Sequence, residues 1–265
     1  MRGILSRNLA SRTEVPLRGR DGDLPLGHGG GILTHMRVLL VGHGRLGRAI
    51  ETLALTTGVE IAGVLDEVSN ADGCALLDGR WNGVDVAIDA STAEAFTQNL
   101  PALVRLGVNL VVGTTGWQAQ EPAVREAVAQ AGLGIVVAAN FSIGAVVLQE
   151  LAARAAGLMA PHGDYAAWLH ESHHAAKRDA PSGTARQLVQ AMAAAGYDRR
   201  VDVASTRAGF IPGTHTVGFD GQFESLALTH TVRDRAVFAE GALAAARWVC
   251  GRQGWFTMRD VLGLS

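Results

Sequence analysis

Two cysteines in 265 residues, Cys74 and Cys250, cannot build a disulfide framework, and they lack the CxxC spacing of a zinc site. That points to a reducing, cytoplasmic setting. An excess of charge is missing too: 23 basic residues against 25 acidic ones give a formal net charge of −2. Nucleic-acid binders and proteins held on anionic lipid usually carry a basic excess, so neither partner is expected. Long apolar runs are also lacking. Residues 127–149 carry no charge, yet Gln130, Gly132, Gly134, Asn140, Ser142 and Gly144 interrupt them. A strand, a loop and a helix start suit that stretch better than a lipid-facing helix. Scarcest of all is lysine, which occurs once, at Lys177, while arginine supplies the other 22 basic residues. A guanidinium stays protonated where an ammonium can give up its proton, so Lys177 is the first place to look for chemistry.

Residues 1–35 have no amphipathic period and no uninterrupted apolar core of the signal-peptide kind. They read as a disordered extension, or as the product of a start upstream of Met36. From Met36 the pattern is regular. Strands are expected at 36–41, 59–65, 84–90, 108–112 and 134–138, with helices at 46–55, 93–106 and 122–131 between them. This alternation predicts a parallel sheet covered by helices. After Asn140 the grammar changes: a helix over 143–159, a strand over 164–171, a His-rich loop and a helix starting near Ser182. Residues 201–232 read as strands with a hairpin turn at Asp220-Gly221, and 235–250 as a closing helix. The expectation is an α/β protein of two domains, the second mixed and rich in antiparallel strands. Their bounds would be 36–139 with 236–265 for the first, and 140–235 for the second.

Gly42-His43-Gly44-Arg45-Leu46-Gly47 follows the first strand and opens the first helix. In that context G-x-G-x-x-G is a dinucleotide loop: a tight turn, a close backbone approach to pyrophosphate, and a close helix–strand contact. Unpaired N–H groups of the helix would face the phosphates. Asp66 closes the second strand 19 residues after Gly47, where an acid can bind the adenosine ribose hydroxyls. Glu67 comes next, and two carboxylates would repel a 2′-phosphate, which favours NADH over NADPH. Gly113, Thr114 and Thr115 end a later strand, and Ala138, Ala139, Asn140 and Phe141 end the next. Small residues there would admit a nicotinamide, or are ordinary loop residues.

The segment from His170 to Thr184 holds three of nine histidines and the lone lysine. Three readings compete. His170, His173 and His174 would ligate a metal, although no second ligand cluster accompanies them. The segment would otherwise be a solvated loop. In the third reading it is an acid–base and anion site, with Ser182-Gly183-Thr184 opening a helix after Pro181 and Lys177 adding charge and a proton. Asp179 would orient Lys177 or cap a helix, His215 and His230 read as strand residues with local partners, and Arg235 would approach the substrate or sit in a helix's first turn.

The run E-S-H-H-A-A-K-R-D-A-P-S-G-T-A resembles the long signature of the dihydrodipicolinate reductase (4-hydroxy-tetrahydrodipicolinate reductase) family. The resemblance continues through V-G-T-T-G, A-A-N-F-S-I-G, P-G-T-H-T-V-G-F-D, F-A-E-G-A and M-R-D-V-L, and covers nearly everything from Met36 onward. It implies a Rossmann domain with a mixed α+β substrate and oligomerisation domain, usually as a homotetramer. The implied activity is reduction of a small cyclic dicarboxylate by NADH or NADPH, with no metal. His173 would be the acid–base histidine and Lys177 the proton donor. His174, Ser182, Gly183 and Thr184 would hold the substrate, and 113–115 with 138–141 would contact the nucleotide. The glycine loop departs from the family's commoner G-x-x-G-x-x-G by one residue, which leaves the cofactor preference open. Another two-domain NAD(P)-dependent dehydrogenase of amino-acid metabolism, or a non-enzymatic dinucleotide sensor, is the alternative.

Overall fold

The computed structural model describes residues 35–264 apart from Asp72 and Asp78, so the reading of residues 1–35 as an extension lies almost wholly outside the described residues. Five short apolar strands alternate with helices as the spacing predicts: β1 (Met36–Val41), α1 (Arg45–Thr57), β2 (Val59–Leu65), β3 (Val86–Asp89), α2 (Ala93–Leu106), β4 (Asn109–Val112), α3 (Glu121–Gln130) and β5 (Gly134–Val137). All pair in parallel. Their side chains alternate between two apolar layers. Leu39, Val41, Ala87, Leu110, Val112 and Ile135 pack with α2 and α3 on one face. Val38, Leu40, Val86, Ile88, Val111 and Val136 pack on the other. Burial on both faces is why these strands read as continuous apolar runs.

The second layer is closed by the late helix α6 (Ala236–Val249), which buries Ala239, Ala242, Leu243, Ala245, Ala246 and Val249. After it comes a strand the sequence pattern had not indicated, β10 (Gly254–Phe256), pairing in parallel with β5 at the sheet edge. The sheet order is therefore β10-β5-β4-β3-β1-β2. Three residues are too few to show a period, and β10 is placed by Arg252 and Gly254 backbone contacts to the 109–134 region instead. A short α7 (Met258–Val261) follows, held by a capping box of Thr257 and Asp260.

Between these pieces lie α4 (Ile143–Met159), β6 (Ala166–His173), α5 (Gly183–Ala194), β7 (Val201–Arg207), β8 (Thr214–Asp220) and β9 (Ser225–Thr231). The four strands form a second sheet in the order β7-β6-β8-β9. Its inner face, with Ala167, Leu169, Val217 and Phe219, packs on Leu148, Ala152, Leu188 and Met192 of α4 and α5. Three features differ from expectation. β6 runs two residues further, so His173 ends a strand rather than lying in a loop. β7 is parallel to β6 because α5 returns the chain as a crossover, making the sheet mixed. The β8–β9 turn spans residues 221–224, since the ladder persists to Asp220–Ser225 and Phe223 projects into solvent. Among the described residues no helix is long and apolar enough to cross a membrane.

Candidate active site

The first part of the site is made of backbone. At Gly42 the chain turns with φ +98°, and a Cβ there would stand 2.5 Å from the carbonyl carbon of Ala90. Only glycine fits. Gly44 caps α1 without a side chain, so the helix's first N–H groups stay open to an anion. Gly42, His43, Gly44 and Asp66 line a cavity of about 500 Å³. His43 Nε2 lies 2.7 Å from Glu51 Oε2, and Arg48 Nε donates to the His43 carbonyl at 3.0 Å. One oxygen of Asp66 accepts from the N–H groups of Ser69 (2.8 Å) and Val68 (3.1 Å) and from the Ser69 hydroxyl (2.8 Å). These bonds, the Ser69 backbone first, hold its carboxyl below the usual range.

A neighbouring cavity of about 490 Å³ is lined by Arg45, Leu46, Gly113, Ala138, Ala139, Asn140 and Phe141, with Arg235 and Phe238. So the glycine loop and the ends of β4 and β5 meet at the carboxyl edge of the sheet, as the crevice rule for such sheets requires. Gly47, Thr114 and Thr115 do not line these cavities. Gly47 abuts the Gly42 carbonyl, and Thr114 is buried with its hydroxyl on Asp89 Oδ1 at 2.5 Å.

The second part is made of charged side chains. His173 ends β6 on the same face as Glu171, and His173 Nδ1 contacts Glu171 Oε2 directly. Glu171 is fully buried, and its other oxygen takes a bond from Arg207 at 2.6 Å and from the Ser182 N–H at 3.3 Å. Burial pushes that carboxyl upward, but Arg207, Ser205 and His173 outweigh it and bring it down to about 2. Arg207 also donates to the Asp179 carbonyl at 2.5 Å. Lys177 Nζ sits 2.7 Å from Asp179 Oδ1, a bond that lowers the Asp179 carboxyl. Asp179 therefore orients Lys177, and the cap of α5 is Ser182, whose hydroxyl accepts from the Ala185 N–H at 3.1 Å. The same hydroxyl lies 3.0 Å from His215 Nε2. Burial, then the nearby His173, push the His215 imidazole down to about 4. His173 is also lowered, by burial against the opposing pull of Glu171.

His174 turns the other way, its Nε2 3.2 Å from the Arg235 guanidinium. Gly183 and Thr184 form the first turn of α5, and Thr184 Oγ1 accepts from Asn140 Nδ2 at 3.5 Å, joining the two parts of the site. The three histidines considered as metal ligands do not converge: His170 is exposed and bonded to Thr206 Oγ1 at 2.9 Å, on the face opposite His173. Glu171, His173 and His215 do bring ligand-type atoms within 4.8 Å of one another. Arg207 already occupies the carboxylate and Lys177 stands nearby, so the cluster suits proton handling better than a cation.

Sequence reasoning gave no role to Glu171 or Arg207. Glu171 had a signal, two residues before His173 on a strand, where side chains share a face. Arg207 had none, being 36 residues away and brought alongside by the β6–β7 pairing. His215 is a strand residue as read, but its partner Ser182 is 33 residues distant rather than local.

Family comparison matches residues 36–141 to "Dihydrodipicolinate reductase, N-terminus" and residues 144–262 to "Dihydrodipicolinate reductase, C-terminus". The 4-hydroxy-tetrahydrodipicolinate reductase of Christiangramia forsetii is 34% identical over 239 residues, 86% of this chain and 98% of that protein. The protein of the same name from Rhodopseudomonas palustris is 32% identical over 274 residues, covering 88% and 99%. Among solved structures, dipicolinate-bound dihydrodipicolinate reductase from Paenisporosarcina sp. TG-14 has the same fold, with a TM-score of 0.72 at 22% identity over 85% of this chain and 98% of that one.

Proposed function

The chain belongs to the dihydrodipicolinate reductase family, and from that premise we propose how its residues carry out the NAD(P)H-dependent reduction of 4-hydroxy-tetrahydrodipicolinate to tetrahydrodipicolinate in lysine and diaminopimelate biosynthesis. The observation that carries the reading is the single lysine, held by Asp179 in the loop between the His173–Glu171 pair and the start of α5.

Residues 36–139 with 236–265 serve as the dinucleotide-binding domain, and 140–235 as the substrate and oligomerisation domain. The Gly42 turn and the uncapped start of α1 fit a pyrophosphate, and a side chain at Gly42 would fill the cradle. Asp66 would meet the adenosine ribose, and residues 113–115 with 138–141 the nicotinamide end. Asp66 and Glu67 at the ribose end favour NADH over NADPH.

A bound dinucleotide supplies the hydride. The substrate loses its 4-hydroxyl as water to give a conjugated cyclic imine, hydride adds at C4, and the electron pair so released takes one proton. His174 and the start of α5 hold the substrate carboxylates, Gly183 and Thr184 through their N–H groups and the Thr184 hydroxyl and Ser182 by fixing the turn, and the charge of Lys177 makes the imine more electrophilic. Lys177, kept in place by Asp179, donates the proton, and His173 assists by passing a proton from solvent back to the Lys177 amine. A positioned proton donor of this kind contributes about 10²–10⁴-fold in rate.

The edge strands β7 and β9 are exposed along most of their length, which supports assembly of the mixed sheet into a homotetramer. A cytoplasmic location accords with two free cysteines. The test is oxidation of NADH and of NADPH, run in parallel, on addition of freshly generated 4-hydroxy-tetrahydrodipicolinate. We expect oxidation with both and the higher kcat/KM with NADH. Binding of dinucleotide without turnover would instead identify a sensor.

A further inference from the structure

The reaction as drawn leaves Glu171 without a task, although it is the most completely buried charged side chain near the reacting groups. Its position is fixed from every side. Arg207 of β7 and the Ser182 N–H at the start of α5 hold Oε1 at 2.6 and 3.3 Å, and Oε2 faces His173 Nδ1. Arg207 is itself tied down by the Asp179 carbonyl at 2.5 Å. We propose that Glu171 is a positioning residue that holds His173 as its Nδ1–H tautomer and leaves Nε2 as the ring's working nitrogen.

Glu171 Oε2 and His173 Nδ1 are buried in direct contact, and neither has any other hydrogen-bond partner among the described residues. An ionised carboxylate only accepts, so the contact favours the tautomer with its hydrogen on Nδ1. The Arg207 guanidinium and the Ser182 N–H on Oε1 keep the carboxyl ionised, holding it well below the usual carboxylate range. The second nitrogen of a neutral imidazole is then an acceptor, free to take or pass a proton. The chain keeps that edge of the ring clear. Gly213, with φ +150°, lies where a Cβ would stand 3.2 Å from His173 Nε2 and Cδ2. The other charged or titratable groups around the ring are Lys177 from the following loop, Arg207 from β7 and His215 from β8, whose ring centroid is 5.1 Å away. Lys177 and Arg207 disfavour the imidazolium, and Glu171 favours it.

The proposal rests on the reading of His173 as an acid–base group, so its test uses a readout independent of turnover. The full-length protein, labelled with ¹⁵N-histidine, is followed by NMR against pH, alongside steady-state kinetics and dinucleotide titration. Wild type is expected to show His173 protonated on Nδ1 at neutral pH. In Glu171→Gln the imidazole is expected to titrate at lower pH, kcat to fall about 100-fold and dinucleotide affinity to stay within about twofold. Glu171→Asp, which restores the charge, should recover about tenfold of the loss and return the titration toward wild type. A protonated Nε2 in wild type, or a His173 titration unmoved in Glu171→Gln, overturns the proposal whatever the activity does. The wild-type spectrum decides even if the Gln variant does not fold. Absence of turnover in wild type would defeat the catalytic reading while leaving the tautomer measurement intact.

Discussion

Asp89 and Glu171 are both buried carboxylates near the ends of strands, and they are treated in opposite ways. Asp89 Oδ1 meets only neutral donors, the Thr114 hydroxyl at 2.5 Å and the Ser91 hydroxyl and N–H at 2.8 and 3.2 Å. Burial dominates there and raises its pKa. Glu171 meets a guanidinium and an imidazole and is held at about 2. The difference follows the surroundings. Beside the glycine loop the chain presents glycines, helix N–H groups and hydroxyls, and a buried charge is a burden. Around His173 it keeps its charges and fixes them to one another, as the proposed proton transfer requires.

Acid is the strongest way to break this contrast. Burial pushes His215 down to about 4, well below the ordinary histidine value of 6.5. Its contribution is therefore complete above pH 6.5 and is lost as pH falls toward about 4, on the order of 3 kcal/mol in all. Glu171 acts with the same sign further down, its contribution being lost from about 4.5 to about 2. Urea denaturation at stepped pH should show the first loss in wild type and a flattened slope in His215→Gln. An unchanged slope would place the pH sensitivity elsewhere.

The smaller expected effect lies on the other side of the contrast and has the opposite sign. A carboxyl whose folded pKa is raised stabilises below its unfolded value and loses that contribution as pH rises through the folded one. Asp89→Asn keeps the acceptor oxygen and removes the charge. It should raise stability at pH 8 and gain little at pH 4. A destabilised variant would show that the Thr114 bond needs an ionised partner.

The same contrast explains what was legible in the sequence. Residues 36–137 are built from local grammar, because strand, glycine loop and helix lie next to one another and burial on both faces makes the strands uniformly apolar. The glycine loop, Asp66 and the two later strand ends could thus be placed by spacing alone. The His-Lys-Ser-Gly-Thr run was equally visible, being contiguous. What tied it together was not. Arg207 reaches Glu171 and Asp179 only because α5 brings β7 parallel to β6, and nothing near residue 207 announces that pairing. His215 meets Ser182 because β8 pairs antiparallel with β6 and sets His215 opposite Glu171, a pairing equally invisible from the residues around 215. The hydroxyl of Thr114 turns inward to Asp89, a choice made by a strand 25 residues earlier.

The central claim is that the second half of the site moves a proton as well as holding charge, and Lys177→Arg tests it most directly. Arginine preserves the positive charge beside Asp179 but is a poor proton donor. Steady-state kinetics at saturating NADH should show kcat reduced by about 10²-fold or more, with dinucleotide affinity unchanged. A kcat close to wild type would contradict the account and leave Lys177 as a binding charge alone.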